Sequence, residues 1–146
     1  MKQKLILVGG AVIYKKVQGK PVWFIVRQKE DSDWEIPKTT ARRGESSVRS
    51  VIRMMGEQAA MNVKVLEEVG RSGGAVLIGQ NTIPQRTIYY LLICKEAKEV
   101  LSFLEFAWLD YARAVKKLKS KKDQSTLKAA RDLLKDLDKK KPKKAK

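Results

Sequence analysis

Residues 34–61, WEIPKTTARRGESSVRSVIRMMGEQAAM, constrain this chain more than any other stretch. They begin as a loop and end as a helix. Pro37 pushes Ile36 into extended or polyproline geometry, so residues 34–38 read as extended. Gly44 permits a tight turn. Beyond Ser47, the residues Val48, Val51, Ile52, Met55 and Ala59 recur at helical spacing, an apolar stripe that must face a core. Ser46 or Ser47 is the expected N-cap, and Asn62 the expected C-terminal stop. Arg49, Arg53, Glu57 and Gln58 fill the remaining surface of the helix.

Strands surround this helix. Residues 4–14 form one, in which Gly9 and Gly10 imply a close backbone approach or a bulge. Gly19 marks a hairpin turn into a second strand, 21–28, with Val22, Phe24 and Val26 on one side and Trp23, Ile25 and Arg27 on the other. Residues 63–69 read as a strand and 71–74 as a loop. Residues 75–78 and 86–95 read as paired strands around 79–82, with Pro84 at an edge or bulge, and 101–109 hold the last sheet segment. A short helix spans 110–118. A second begins at Ser120 or Asp123 and lines up Leu127, Ala130, Leu133, Leu134 and Leu137. The expected architecture is a single α/β domain over residues 1–138. It is followed by the cationic segment 139–146, KKKPKKAK, which cannot bury apolar surface and reads as disordered.

The charge is as informative as the pattern. The chain has 32 Lys/Arg against 16 Asp/Glu, a net charge of +16. Residues 112–146 hold 15 of the cations and four aspartates. This imbalance points to polyanions such as RNA, DNA or acidic phospholipid, or else to a solvated face with a solubilising tail. The chain contains no histidine, which excludes Ser-His-Asp and Cys-His catalysis and histidine-based zinc sites. Cys94 is a lone thiol in an apolar run, inert without an activating base and consistent with a reducing cytoplasm. No run is long and apolar enough to span a membrane.

Residues 34–61 resemble the Nudix box, G-x5-E-x7-R-E-U-x-E-E-x-G-U, where U is a bulky aliphatic residue. Gly9-Gly10-Ala11-Val12-Ile13-Tyr14 is similar to the family's first core strand. Trp34-Glu35-Ile36-Pro37-Lys38 is similar to its approach to the box, and Glu105-Phe106-Ala107-Trp108-Leu109 to its late strand. Within the family the chain most resembles the bis(5′-nucleosyl)-tetraphosphatase group. The resemblance implies the Nudix fold, a mixed β-sheet sandwiched between helices. It implies Mg²⁺ or Mn²⁺ as cofactor if the site is active, with a nucleotide or nucleoside polyphosphate as ligand.

The chain departs from the box where the box holds metal. With Glu45 as the first glutamate, Thr39 replaces the leading glycine and Ala60 the late one, and R-E-U-x-E-E becomes Arg53-Met54-Met55-Gly56-Glu57-Gln58. Of three carboxylates that the resemblance assigns to metal and catalysis, Glu57 alone remains. Glu45 and Arg53 match the family's structural pair. Methionine offers a soft thioether, poorly suited to Mg²⁺, and Gln58 lacks charge. Positions 54, 57 and 58 are expected on one side of the helix, facing the loop of Lys38, Arg42 and Arg43. Those three cations and Arg27 are candidate phosphate contacts, or simply solvated charges. Glu96 or Glu99 could reach a metal from a neighbouring loop. Two functions follow: a domain that binds nucleotide or RNA phosphates with weak or no hydrolysis, or an active metal-dependent pyrophosphohydrolase of dinucleoside polyphosphates or related compounds. A third is a structural part of a ribonucleoprotein.

Overall fold

A computed structural model describes residues 5–97 and 105–140, without the side chains of Glu96 and Ala97. The order is β1 (Ile6–Val17), β2 (Lys20–Arg27), β3 (Lys38–Thr40), α1 (Ser47–Ala59), β4 (Met61–Ile78), β5 (Asn81–Ala97), β6 (Glu105–Leu109), α2 (Tyr111–Lys117) and α3 (Lys121–Lys140). The described strands form one mixed sheet in the order β4-β5-β1-β2-β6, with β3 also paired to β1. The β1–β5 pair is parallel and the other pairs are antiparallel. Gln18 and Gly19, both at positive φ, close the β1–β2 hairpin, as a two-residue turn matched to strand twist requires.

Strand alternation divides the core into two layers. Val12, Tyr14, Trp23 and Ile25 face α2 and α3, where they meet Leu118, Leu127 and Leu134. Ala11, Ile13, Phe24 and Val26 face α1, where they meet Val51, Met54 and Met55. The sheet is therefore sandwiched between helices, as expected. Each large side chain so buried contributes about 1.5–3 kcal/mol.

Two adjacent glycines let both layers close. A Cβ on Gly9 would lie 2.6 Å from Val51 Cγ2 and 2.7 Å from the Ser47 carbonyl oxygen, and one on Gly10 would lie 2.5 Å from the Tyr89 ring. Each glycine thus serves one face of β1. This is close approach rather than a bulge, because β1 keeps an unbroken register with β5 from Ile6 to Tyr14.

The structure corrects several expectations. Helix α1 buries Ser47, Ser50, Val51, Met54, Met55 and Ala59, while Ile52 is 46 % exposed and Val48 half-buried. The helix is rotated so that Ser47, Ser50 and Val51 seat on Gly9, where the missing side chain lets the helix come close. Ser47 and Ser50 satisfy their hydroxyls there, on Tyr90 and on the Ser47 carbonyl. The helix ends not at Asn62 but at Ala60, in left-handed geometry, whose N–H donates to the Met55 carbonyl. Ser46 is the N-cap and accepts from the Arg49 N–H.

The expected loop at 71–74 is strand. It lies inside β4 and pairs with Ile88, Thr87, Arg86 and Gln85 of β5, since a long cross-strand ladder outweighs the weak strand preference of two glycines. Residues 38–40, read as loop, pair with β1. Helix α3 continues through Lys139 and Lys140, the first two lysines of the cationic segment. Residues 141–146, residues 1–4 and the 101–104 part of the last expected strand lie outside the described residues. Among the described residues no helix is long and apolar enough to cross a membrane.

Candidate functional site

The loop between β3 and α1 is built by backbone bonds and one carboxylate. Ala41 donates its N–H to the Leu7 carbonyl (2.7 Å), and Glu45 donates to the Arg42 carbonyl (2.8 Å). Gly44, at φ 78°, makes the turn that brings Glu45 back under the loop. The Glu45 carboxylate accepts from the Arg42 N–H at 2.8 Å and from Arg53 twice, at 2.8 and 3.0 Å. Arg53 also donates to the Thr40 carbonyl (3.3 Å). One guanidinium therefore ties loop, strand end and helix together in the bidentate geometry suited to carboxylates. The Arg53 hydrogen bonds, then the Arg42 N–H, hold the Glu45 carboxyl down at about 2. A cleft of about 760 Å³ opens beside this loop, lined by Leu5, Leu7, Ala41, Arg42, Arg43 and Glu45.

Glu57 sits on the exposed side of α1. Arg42 and Arg53 both place a guanidinium nitrogen 3.7 Å from its Oε1. Positions 54, 57 and 58 do not face the loop together as expected. Met54 is completely buried in the core beneath α1, while Glu57 is exposed and Gln58 half-buried. The same rotation of the helix that exposes Ile52 turns position 54 inward. Mg²⁺ and Mn²⁺ favour clustered oxygen ligands. One carboxylate already shared by two arginines, beside a neutral amide, does not fit that need. Among the described residues no three carboxylate, histidine or cysteine side chains converge. Glu99 and the Glu96 side chain lie outside the described residues.

The expected cation group is divided. Lys38 does not join Arg42 and Arg43. Its ammonium lies on the opposite face of the sheet, 2.9 and 3.1 Å from the Asp123 carboxylate oxygens and 3.1 Å from the Ile36 carbonyl. Asp123, almost fully buried in the first turn of α3, also accepts from the Ile36 N–H at 3.0 Å. The chain at Pro37 thereby fixes Lys38 to α3. A second cleft of about 380 Å³ opens here, lined by Trp34, Glu35, Lys38, Tyr89, Lys122 and Asp123. Lys38 and Lys122 each place their nitrogen 5.8 Å from the centre of the Tyr89 ring, and Lys117 lies 4.7 Å from that of Trp34. Burial and then the Asp123 charge push the Tyr89 hydroxyl up to about 12, so it is a neutral hydrogen-bonding group here. Burial also raises Glu35, against the pull of Lys38.

Arg27 lines neither cleft. It pairs with Glu105, its cross-strand partner on β6, and also donates to the Glu30 carbonyl. Asp123, a helix-start residue by sequence, is also a site residue. The available clue was its register: Asp123 stands on the same helix stripe as Leu127, Ala130 and Leu134, and an acid on an apolar stripe calls for a partner.

No family model matches the chain, and no curated protein matches it. Solved structures do. The structure of a Caenorhabditis elegans Ap4A hydrolase binary complex matches with a TM-score of 0.73 at 19% identity, over 90% of this chain and 98% of that one. A NUDIX hydrolase structure from Listeria monocytogenes matches at 0.74 and 13% identity, over 90% and 96%. The NUDIX domain of Shewanella oneidensis NrtR, complexed with ADP ribose, matches at 0.68 and 14% identity, over 91% and 90%. The chain has the Nudix fold.

Proposed function

We propose that this Nudix-fold domain binds the phosphates of nucleotides or RNA in the cytoplasm and hydrolyses them weakly or not at all. The observation that carries the reading is the state of the α1 surface. Met54 lies in the core, and Glu57 is held within 3.7 Å of both Arg42 and Arg53. The helix therefore presents guanidinium groups where the resemblance implies a divalent ion. Arg42 and Arg43, both exposed on the rim of the larger cleft, are the phosphate contacts. A cleft of that size suits a nucleotide, and arginine suits phosphate oxygens because its donors are fixed in a planar fork. The ligands named for two structural neighbours, Ap4A and ADP ribose, are the compounds to try first.

The test is a turnover screen of diadenosine tetraphosphate and ADP ribose with Mg²⁺ and with Mn²⁺, beside binding measurements on the same compounds. Binding by the wild type is expected. The paired change Arg42→Ala with Arg43→Ala should weaken it by roughly tenfold or more, the scale of one charge-assisted hydrogen bond. Turnover should be negligible in both the wild type and Glu57→Gln. Brisk wild-type turnover that collapses in Glu57→Gln would overturn the reading in favour of a metal-dependent pyrophosphohydrolase. For RNA, removal of residues 139–146 takes away six lysines and should lower affinity and flatten its salt dependence.

A further inference from the structure

We infer that residues 72–78 of β4 are the surface through which two copies of this chain pair, edge to edge. β4 ends the described sheet, and its outer side has no strand neighbour. The β1–β5 ladder begins only at Ile6 and Gln85, so the tip of the β4–β5 hairpin extends past the sheet. The two sides of that tip are unlike. On the β5 side Pro84 withholds a backbone donor and guards the edge. On the β4 side nothing does. Register shifts interrupt β4 at residues 62–63, 65–67 and 68–70, and none follows Gly70. Nothing lies within 4 Å of where a Cβ would stand on Gly73 or Gly74, so neither face of the strand is covered there. Leu77 is 71 % exposed and Ile78 51 % exposed. A regular, apolar edge without proline or lysine is a template for another strand.

Charge selects the partner. Residues 72–85, SGGAVLIGQNTIPQ, carry no ionisable side chain, although a third of the whole chain is charged. Two molecules of net charge +16 repel over most of their surfaces. A charge-free strip is where they can meet at least cost. An acidic protein or a polyanion would find no complementary charge there. Antiparallel pairing of one strand with its own copy is two-fold symmetric, so the contact closes at a dimer. A strip of seven residues is small, so the association is weak and depends on concentration.

The test is sedimentation equilibrium of the full chain from low micromolar to near-millimolar concentration, in low and high salt. The wild type should approach twice the chain mass, more readily in high salt, where repulsion is screened. Leu77→Lys, at an exposed position, should remain a folded monomer by circular dichroism because a lysine on the edge guards it against a further strand. Ile52→Lys, at an exposed apolar position on α1 far from the edge, should dimerise as the wild type does. In the dimer the amides of residues 72–78 should exchange more slowly with solvent. A wild type that stays monomeric throughout, a dimer indifferent to Leu77→Lys, or one equally lost in Ile52→Lys would overturn the inference.

Discussion

Glu45 and Asp123 are both carboxylates held by a cation, on opposite faces of the same sheet. Glu45 lies at the rim of α1, and its partner Arg53 is two turns along the same segment. Asp123 lies inside the core under α3, and its partner Lys38 is 85 residues away in sequence. The rim pair braces a loop whose shape Gly44 and the backbone already favour. In the second pair the carboxylate itself is sealed, 3 % exposed against 16 % for Glu45, and it also satisfies the Ile36 N–H. Identical charge chemistry therefore has different weight in the two places. At the rim a lost partner is replaced by solvent, whereas in the core it leaves an uncompensated charge.

The largest effects should come from placing a new carboxylate in the core beneath α1. Val51→Asp and Met54→Glu should each cost roughly 3 kcal/mol or more in denaturant unfolding, because each buries an unpaired charge. Ile52→Asp, one position from Val51 but exposed, should stay within about 0.5 kcal/mol. A Met54→Glu protein as stable as the wild type would mean that position 54 can turn outward, and the argument against a metal site would weaken. For the same reason, Met54→Glu with Gln58→Glu should gain little metal affinity by titration calorimetry.

Asp123→Ala comes next. It leaves the buried Ile36 N–H without its acceptor and Lys38 with only the Ile36 carbonyl and Glu35, and about 2 kcal/mol of destabilisation is expected. Glu45→Ala, measured in the same way, should cost clearly less. Equal costs would remove the contrast between rim and core.

A smaller change of opposite sign is expected at the end of α1. Ala60 adopts φ 47°, where a Cβ is strained and glycine is not. Ala60→Gly should stabilise the fold by up to about 1 kcal/mol, read as a shift of the denaturant midpoint.

The smallest effect is a pH slope. An unfolded glutamate titrates near 4.5, and Glu45 in the fold near 2 because Arg53 and the Arg42 N–H favour its charged form. Its contribution is whole above the unfolded value and fades as pH falls through the folded one. Glu45→Gln should therefore flatten the loss of stability between about 4.5 and about 2. An unchanged acid limb would show that the pair is not maintained in solution.

Sequence by itself determined the elements whose signals are local. The alternation in β2 assigns its residues to the two layers, and the turn at Gly19 closes the hairpin with β1. The existence of α1 and α3 follows from helical spacing and, for α1, from a serine cap at 46 or 47; the structure adds Asp110 as the N-cap of α2. The nearness of Glu45 and Arg53 follows too, because both belong to one loop-helix segment. The tertiary structure decided what depends on distant atoms. The rotation of α1 that hides Met54 and exposes Ile52 goes with the seating of Ser47, Ser50 and Val51 on Gly9 of β1, where a Cβ would collide with them. The continuation of β4 through Gly73 and Gly74 was set by its long pairing with β5. The separation of Lys38 from Arg42 and Arg43 was set by Asp123, a residue that no spacing within 34–61 can reveal. A periodic pattern specifies that a face must be covered, but the shape and charge of what covers it come from elsewhere in the chain.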